Sequence, residues 1–155
     1  HYNIFPLTLV MMLILLVSLL VVYVRLEIGV KAPSKIERWT INFPFSLYLG
    51  WITVATIANV TSLLDYLKWN GWGIAPEIWT VVMLAVAVIV AGLLLLSRRD
   101  STYLLVLVWA FVGIALKHSA VPTVTIAAWV AAALVAAFAV ANWLWKRKLV
   151  KIISA

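Results

Sequence analysis

The chain has 155 residues, of which 66% are apolar and 11% are charged, and its net charge is +7 at neutral pH. Soluble globular domains are about 45–50% apolar and about 25% charged, and one domain of this length cannot hide so many apolar residues from water. The composition therefore excludes a soluble enzyme, a disordered segment and a free nucleic-acid-binding domain, and it indicates an integral membrane protein. Because the chain has no cysteine, disulfides, thiolate catalysis and cysteine-ligated metals are excluded as well.

Five apolar stretches approach or exceed the roughly 20 residues that a helix needs to cross a hydrocarbon core. None of them contains lysine, arginine or glutamate, and none shows the alternation typical of a membrane barrel strand. We therefore predict an all-α integral membrane protein, in which residues 1–155 form a single membrane domain of five transmembrane helices in an antiparallel bundle. The predicted spans are 5–24, 45–67, 78–97, 102–116 and 123–145.

Prolines and polar residues separate these spans. Pro44 and Pro122 lie where the second and fifth helices are expected to begin, since a proline fits the first turn of a helix. The sequence from Arg98 to Ser101 predicts a tight turn between the third and fourth spans.

The basic residues are concentrated on one side of this topology. Lysine and arginine are enriched in cytoplasmic loops, so we expect a cytoplasmic C-terminus and an external N-terminus. The chain begins at His1 without a methionine, and its first span has no preceding signal, so we expect it to be a piece of a longer protein whose upstream helices deliver it. The predicted cytoplasmic side holds Arg25, Lys31, Lys35, Arg38, Arg98, Arg99, Lys146, Arg147, Lys148 and Lys151, and the other side holds Lys68 and Lys117.

Nine tryptophans form two groups. Those near predicted helix ends are expected to anchor the chain at the membrane surface, where an indole can face both lipid and water. Three others, Trp51, Trp109 and Trp129, lie deeper and either fill helix packing or contact a ligand. The expected anchors are Trp39, Trp69, Trp72, Trp79, Trp143 and Trp145.

The second span carries the candidate binding site. Tyr48, Trp51, Ala55 and Asn59 recur every three or four residues, so they share one helix face. Two aromatic rings offer a stacking surface, the alanine leaves space, and the amide can bond a polar ligand edge. In the alternative interpretation, Asn59 bonds a neighbouring helix while Ser46 and Gly50, spaced by four, allow close helix packing. No catalytic or metal-binding residues are predicted, because no span holds paired carboxylates or a cluster of metal ligands.

The segment 44–59 resembles the last-helix motif of the translocator protein, or tryptophan-rich sensory protein, family. It departs from that motif at Val54, where the motif has phenylalanine, at Gly50, where it has alanine, and by Ser46 and Leu47, which help to separate Pro44 from Tyr48. The residues in register are Tyr48, Leu49, Trp51, Ala55, Thr56 and Asn59.

The resemblance covers about residues 1–70. It implies that the first two spans correspond to the fourth and fifth helices of a five-helix fold, and that the other three follow the family's usual end, as in the C-terminal part of a longer bacterial relative. It also implies tetrapyrrole binding, or sterol binding in animals, with Trp51 and Ala55 lining the pocket.

Two functions follow as hypotheses. The first is a membrane ligand-binding or sensory protein that holds a flat apolar ligand, for which the resemblance favours a tetrapyrrole such as haem, porphyrin or chlorophyll. The alternative is a non-catalytic accessory subunit of a larger, pigment-containing membrane complex, contacting its partners through the alanine-rich last span. Neither is an enzyme. The expected partners are the lipid bilayer and other membrane subunits or a second copy of the chain, not nucleic acid, and the expected location is a bacterial inner membrane or a related energy-transducing membrane.

Overall fold

The computed structural model describes the backbone of residues 5–153 and the side chains of residues 6–145. The expectation that rests on His1 lies outside the described residues. Within them the chain is helical and contains no strand, which confirms the predicted all-α class. The long helices are α1 (Phe5–Arg25), α3 (Phe43–Tyr66), α4 (Pro76–Arg98), α5 (Ser101–Lys117) and α6 (Pro122–Ile153). A short helix α2 (Lys35–Glu37), a π-helical turn (Arg38–Asn42) and a 3-10 turn (Gly71–Gly73) lie between them.

Four helical segments are long and apolar enough to cross a membrane. Helix α5 is apolar but has only 17 residues, so at 1.5 Å per residue it is roughly 25 Å long, slightly less than a hydrocarbon core. The span predicted from the sequence for this helix, 102–116, is also the shortest of the five. The four longer segments are Pro6–Arg25, Lys35–Tyr66, Pro76–Arg98 and Pro122–Trp145.

The helices pack in the order α1, α3, α5, α6, α4. Successive long helices alternate in direction, as an antiparallel bundle requires, but this order also brings two parallel pairs together. In the α3–α5 pair Gly50 lies against Val106, and in the α4–α6 pair Gly92 lies against Phe138. Helix α6 packs against both α4 and α5, so the alanine-rich span is central to the second half of the bundle.

Small residues are buried in both α4 and α6. Ala91 and Ala128 are fully buried, and Ala87 and Ala132 are almost so. Small side chains at spacing four let two helix backbones come close, which membrane helices need because lipid offers no hydrophobic driving force for their association. One alanine stripe of α6 therefore serves packing within the chain.

The second predicted span begins earlier than Pro44 suggests. Helix α2 and the π-helical turn lead directly into α3, and the Phe43 N–H bonds the carbonyl of Arg38, five residues back. Because a proline has no N–H to donate, Pro44 leaves one hydrogen bond of the helix unmade. The widened turn lies just before this position. At the other end of the chain, the backbone of α6 continues past residue 145 to Ile153.

Three polar contacts join the helices at one end of the bundle, called the basic end below. The Tyr23 hydroxyl of α1 donates a hydrogen bond of 2.8 Å to the Asp100 carboxylate, in the turn between α4 and α5. The Asn142 amide of α6 donates to the Arg99 carbonyl at 2.9 Å and to the Ser101 hydroxyl at 2.8 Å. The Arg25–Arg38 loop, the Arg98–Arg99 turn and the end of α6 therefore lie on the same side, as the charge distribution predicted.

Candidate functional site

The four predicted site residues lie on one face of α3, and this face is turned outward. Tyr48 is 42% exposed and Trp51 is 47% exposed, while Ala55 and Asn59 are half-buried. The buried residues of α3 lie beside and behind this face, and they are Ser46, Leu49, Gly50, Ile52 and Thr56. The predicted residues are thus brought together as an open surface beside the bundle, and not as the wall of its interior.

A second tryptophan, from α5, extends this surface. The rings of Trp51 and Trp109 lie with centroids 5.3 Å apart and planes tilted by 36°. Trp109 is 63% exposed, so the pair forms a broad aromatic surface at the boundary between the two helices. We call the surface formed by Tyr48, Trp51, Ala55, Asn59 and Trp109 the α3–α5 face.

Close contact of the helices puts the two rings together. A Cβ added at Gly50 would lie 2.9 Å from the Cβ of Val106, which is too close for any larger residue without a shift of the helix. Ser46, one turn earlier, is 1% exposed. The close-packing part of the alternative interpretation therefore describes this interface, and the packing itself positions Trp51 beside Trp109.

The alternative interpretation expects Asn59 to hydrogen-bond a neighbouring helix, but the oxygen of its amide has no such bond within the described part of the chain. Its Oδ1 atom is buried, and no hydrogen-bond donor among the described residues reaches it. A buried carbonyl without a partner costs free energy, the more so inside a membrane where water cannot replace the donor. One unused acceptor therefore lies beneath the face, about 12 Å along the helix axis from Trp51 at 1.5 Å per residue.

The remaining hydroxyls of α3 are already used by its backbone. Ser62, about one turn after Asn59, donates to the carbonyl of Ala58 at 3.0 Å, and Thr53 and Thr56 donate to the carbonyls of Leu49 and Ile52. Among the described residues no group of three or more histidines or carboxylates could hold a metal ion. The chemistry available at the face is aromatic stacking, apolar contact and hydrogen bonding by the Tyr48 hydroxyl and the Asn59 amide.

The other two tryptophans that were expected to lie deep, Trp109 and Trp129, are in different positions. Trp129 lies on α6 and is 47% exposed, with no ring contact to the α3–α5 face. Trp109 was recognised as a deep tryptophan, but sequence spacing could not pair it with Trp51, because the two belong to different helices. A tryptophan at the same depth in two parallel spans was the only available signal.

The tryptophans at the opposite end of the bundle form a cluster. Ring centroids of Trp69, Trp72 and Trp79 lie 5.2 to 5.8 Å apart, and the Trp79 indole donates to the carbonyl of Gly71 at 3.0 Å. Their place just after α3 and at the start of α4 fits the anchor interpretation for membrane-surface tryptophans.

The contact between Tyr23 and Asp100 was missed by the sequence reading. Asp100 caps α5 by accepting from the N–H groups of Thr102 and Tyr103, and its second oxygen accepts from Tyr23. The aspartate before a serine and an apolar run was a readable helix start. Its partner, 77 residues earlier in the chain, had no local signal.

A protein-family model described as TSPO-like protein matches residues 1–141. Searches among curated proteins and among solved structures find no match. The family match is about twice as long as the stretch on which the sequence resemblance rests, and it includes α4, α5 and most of α6. These three helices are therefore part of the matched family region and are not an addition after it.

Proposed function

Because this chain belongs to the TSPO-like protein family, we propose that it is a non-enzymatic membrane protein that binds a flat apolar ligand on the α3–α5 face. The observation that carries the proposal is the exposed Trp51–Trp109 pair on the same face as the unpartnered Asn59 acceptor. Aromatic rings exposed to lipid gain little from facing acyl chains alone, whereas a flat conjugated molecule stacks on them. The residues that would hold it are those that the sequence selected, joined by Trp109.

A tetrapyrrole is the ligand class that this surface fits best. Its flat macrocycle would lie against the two indoles and Tyr48, and the small side chain of Ala55 would leave room for it. After a rotation that turns its buried Oδ1 toward the face, Asn59 would accept a hydrogen bond from an N–H or O–H at the ligand's polar edge, which would remove the cost of its unpaired carbonyl. The face is open on one side, so a ligand would enter laterally from the bilayer.

Binding can be measured on the full chain in mild detergent. Protoporphyrin is titrated while its Soret band and the tryptophan fluorescence are followed, and Trp51→Ala is compared with Trp129→Ala. The two tryptophans are equally exposed at 47%, so their replacement removes a similar exposed surface, but only Trp51 belongs to the α3–α5 face. Since stacking on one aromatic side chain contributes about 1–3 kcal/mol, we expect Trp51→Ala to weaken binding by about fivefold or more and Trp129→Ala to leave it unchanged.

Replacement of Asn59 separates ligand binding from structure. Asn59→Leu removes an unpartnered buried acceptor, so the free energy of unfolding of the ligand-free protein should rise by about 1 kcal/mol. The same change should weaken porphyrin binding. Equal porphyrin affinity in the wild type, Trp51→Ala and Asn59→Leu would refute the proposed site.

A second candidate function is the accessory subunit, and one observation favours it. Ala133, Ala137 and Ala141 form a stripe at spacing four on α6 that is exposed in the described chain. Such a stripe allows close approach of another helix. Ala137→Leu should then release a partner protein that co-purifies with the wild-type chain from its native membrane, while porphyrin affinity stays constant.

For orientation and location, we propose that the basic end faces the cytoplasm of a bacterial cell and that the chain lies in its inner membrane. The common location of Arg25–Arg38 and Arg98–Arg99 supports this orientation through the positive-inside rule. A cysteine introduced at Ser34, in a chain without other cysteines, should be protected from a membrane-impermeant maleimide in intact cells. A cysteine at Ser119, at the opposite end, should react.

A further inference from the structure

A cleft of about 260 Å³ lies at the basic end, between the end of α1 and the π-helical turn before α3. Its walls combine charged side chains with the short apolar residues of the loop. The lining includes Arg25, Glu27, Lys31, Ala32, Glu37 and Asn42. The cleft is separate from the α3–α5 face.

Two basic side chains, Arg25 and Lys31, and two carboxylates, Glu27 and Glu37, line this cleft, so the charges of its lining sum to zero. Glu27 forms an ion pair with Lys31 at 3.9 Å, and the Glu37 carboxylate accepts a hydrogen bond of 2.8 Å from the Ser34 N–H in a capping box. Among the described side chains, Arg25 therefore forms no ion pair. Lys35 and Arg38, both exposed, lie on either side of Glu37 in the chain, outside the lining of the cleft.

The cleft lies at the depth of lipid headgroups. Arg25 is the last residue of an apolar helix, so it marks the place where the hydrocarbon core ends. Trp39, on the π-helical turn, is 69% exposed and lies with its ring 5.4 Å from that of Phe43. An exposed aromatic pair at a helix start is typical of the membrane interface.

We propose that this cleft binds the phosphate group of an anionic phospholipid from the leaflet at the basic end. The Arg25 guanidinium would bond the phosphate oxygens in a bidentate manner, and the Asn42 amide would donate to the headgroup. Lys35 and Arg38 would attract the negative lipid surface, while the acyl chains would lie along the exposed apolar side of α1. The π-helical turn would serve to set Ile41 and Asn42 against the end of α1, since such turns often occur at binding sites.

The experiment uses the purified full chain, delipidated in detergent, and native mass spectrometry. Phosphatidylglycerol and phosphatidylcholine with the same acyl chains are added in equal amounts, and the bound fractions are compared. We expect phosphatidylglycerol to be retained in preference by the wild type, and the preference to fall about fivefold in Arg25→Gln, the effect of one basic residue near an anionic surface. The control, Lys117→Gln, removes the same charge at the opposite end and should keep the preference.

A second variant guards against a folding defect in Arg25→Gln. Ala32→Trp leaves every charge in place but fills the cleft, so it should also lose the preference. Thermal unfolding in the same detergent identifies any variant that is not folded. Equal retention of the two lipids by the wild type, or an equal loss in Lys117→Gln, would overturn the proposal.

A third arm distinguishes a lipid headgroup from a free phosphate ester. Glycerol phosphate is added at millimolar concentration before the lipids. If it leaves the phosphatidylglycerol preference intact, the acyl chains contribute and the site is a lipid site. If it abolishes the preference, the cleft is a site for soluble phosphate and the lipid assignment is wrong.

Discussion

Gly29 and Gly73 provide a matched test of the contact that closes the basic end. Both have left-handed backbone conformations, with φ of +81° and +77°. A Cβ placed at Gly29 would overlap the backbone carbonyl of Arg98, whereas nothing lies within 4 Å of a Cβ placed at Gly73. Alanine at either position meets the same conformational penalty of about 1–2 kcal/mol, but only at Gly29 must the chain also move.

The additional cost at Gly29 follows from the residue before it. The carbonyl of Arg98 belongs to the last turn of α4 and cannot move aside, so the loop after α1 must shift. Ile28, now 2% exposed, would lose its burial, which contributes about 1.5–3 kcal/mol for a side chain of this kind. We expect Gly29→Ala to lower the free energy of unfolding by roughly 3–5 kcal/mol, and Gly73→Ala by roughly 1–2 kcal/mol.

Equilibrium unfolding in mixed micelles with increasing dodecyl sulfate, followed by circular dichroism, measures both variants against the wild type. Because the two glycines share their backbone conformation, the difference between the variants isolates the contact with Arg98. An equal loss of stability in the two variants would refute the inferred close approach of the loop to the turn between α4 and α5. A larger loss in Gly73→Ala would refute it as well.

Two further predictions use the same unfolding measurement. Tyr23→Phe should lower the free energy of unfolding by about 1.5–3 kcal/mol, because the buried Asp100 carboxylate loses a donor. The control Tyr48→Phe, at an exposed tyrosine, should change the free energy of unfolding by less than about 0.5 kcal/mol. Similar losses in both variants would contradict the importance of the buried hydrogen bond. Ala132→Leu should destabilise the chain by about 1–3 kcal/mol, because it overfills a buried helix contact. Ala133→Leu, on the exposed side of α6, should leave stability unchanged. A larger loss of stability in Ala133→Leu than in Ala132→Leu would mean that the packed side of α6 is misassigned.

Much of the fold could be predicted from the sequence because the signals were local. Apolar runs predicted the long helices, and Pro122 marked the start of α6. Spacing also placed Tyr48, Trp51, Ala55 and Asn59 on one face of α3, and the motif containing them indicated the family that residues 1–141 match. The helical segment before Pro44 was not expected, since no residue pattern in the sequence announces the π-helical turn that leads into α3.

The tertiary structure alone decided which side of each helix meets protein and which meets lipid. In a soluble bundle polar residues mark the outer face, but a membrane helix is apolar on all sides, and acyl chains are as apolar as leucine. The sequence therefore determined that Trp51 and Asn59 share a face, yet it could not determine that this face points outward or that Trp109 joins it. Only the packing order, with Gly50 against Val106 on two non-successive helices, brings these side chains together.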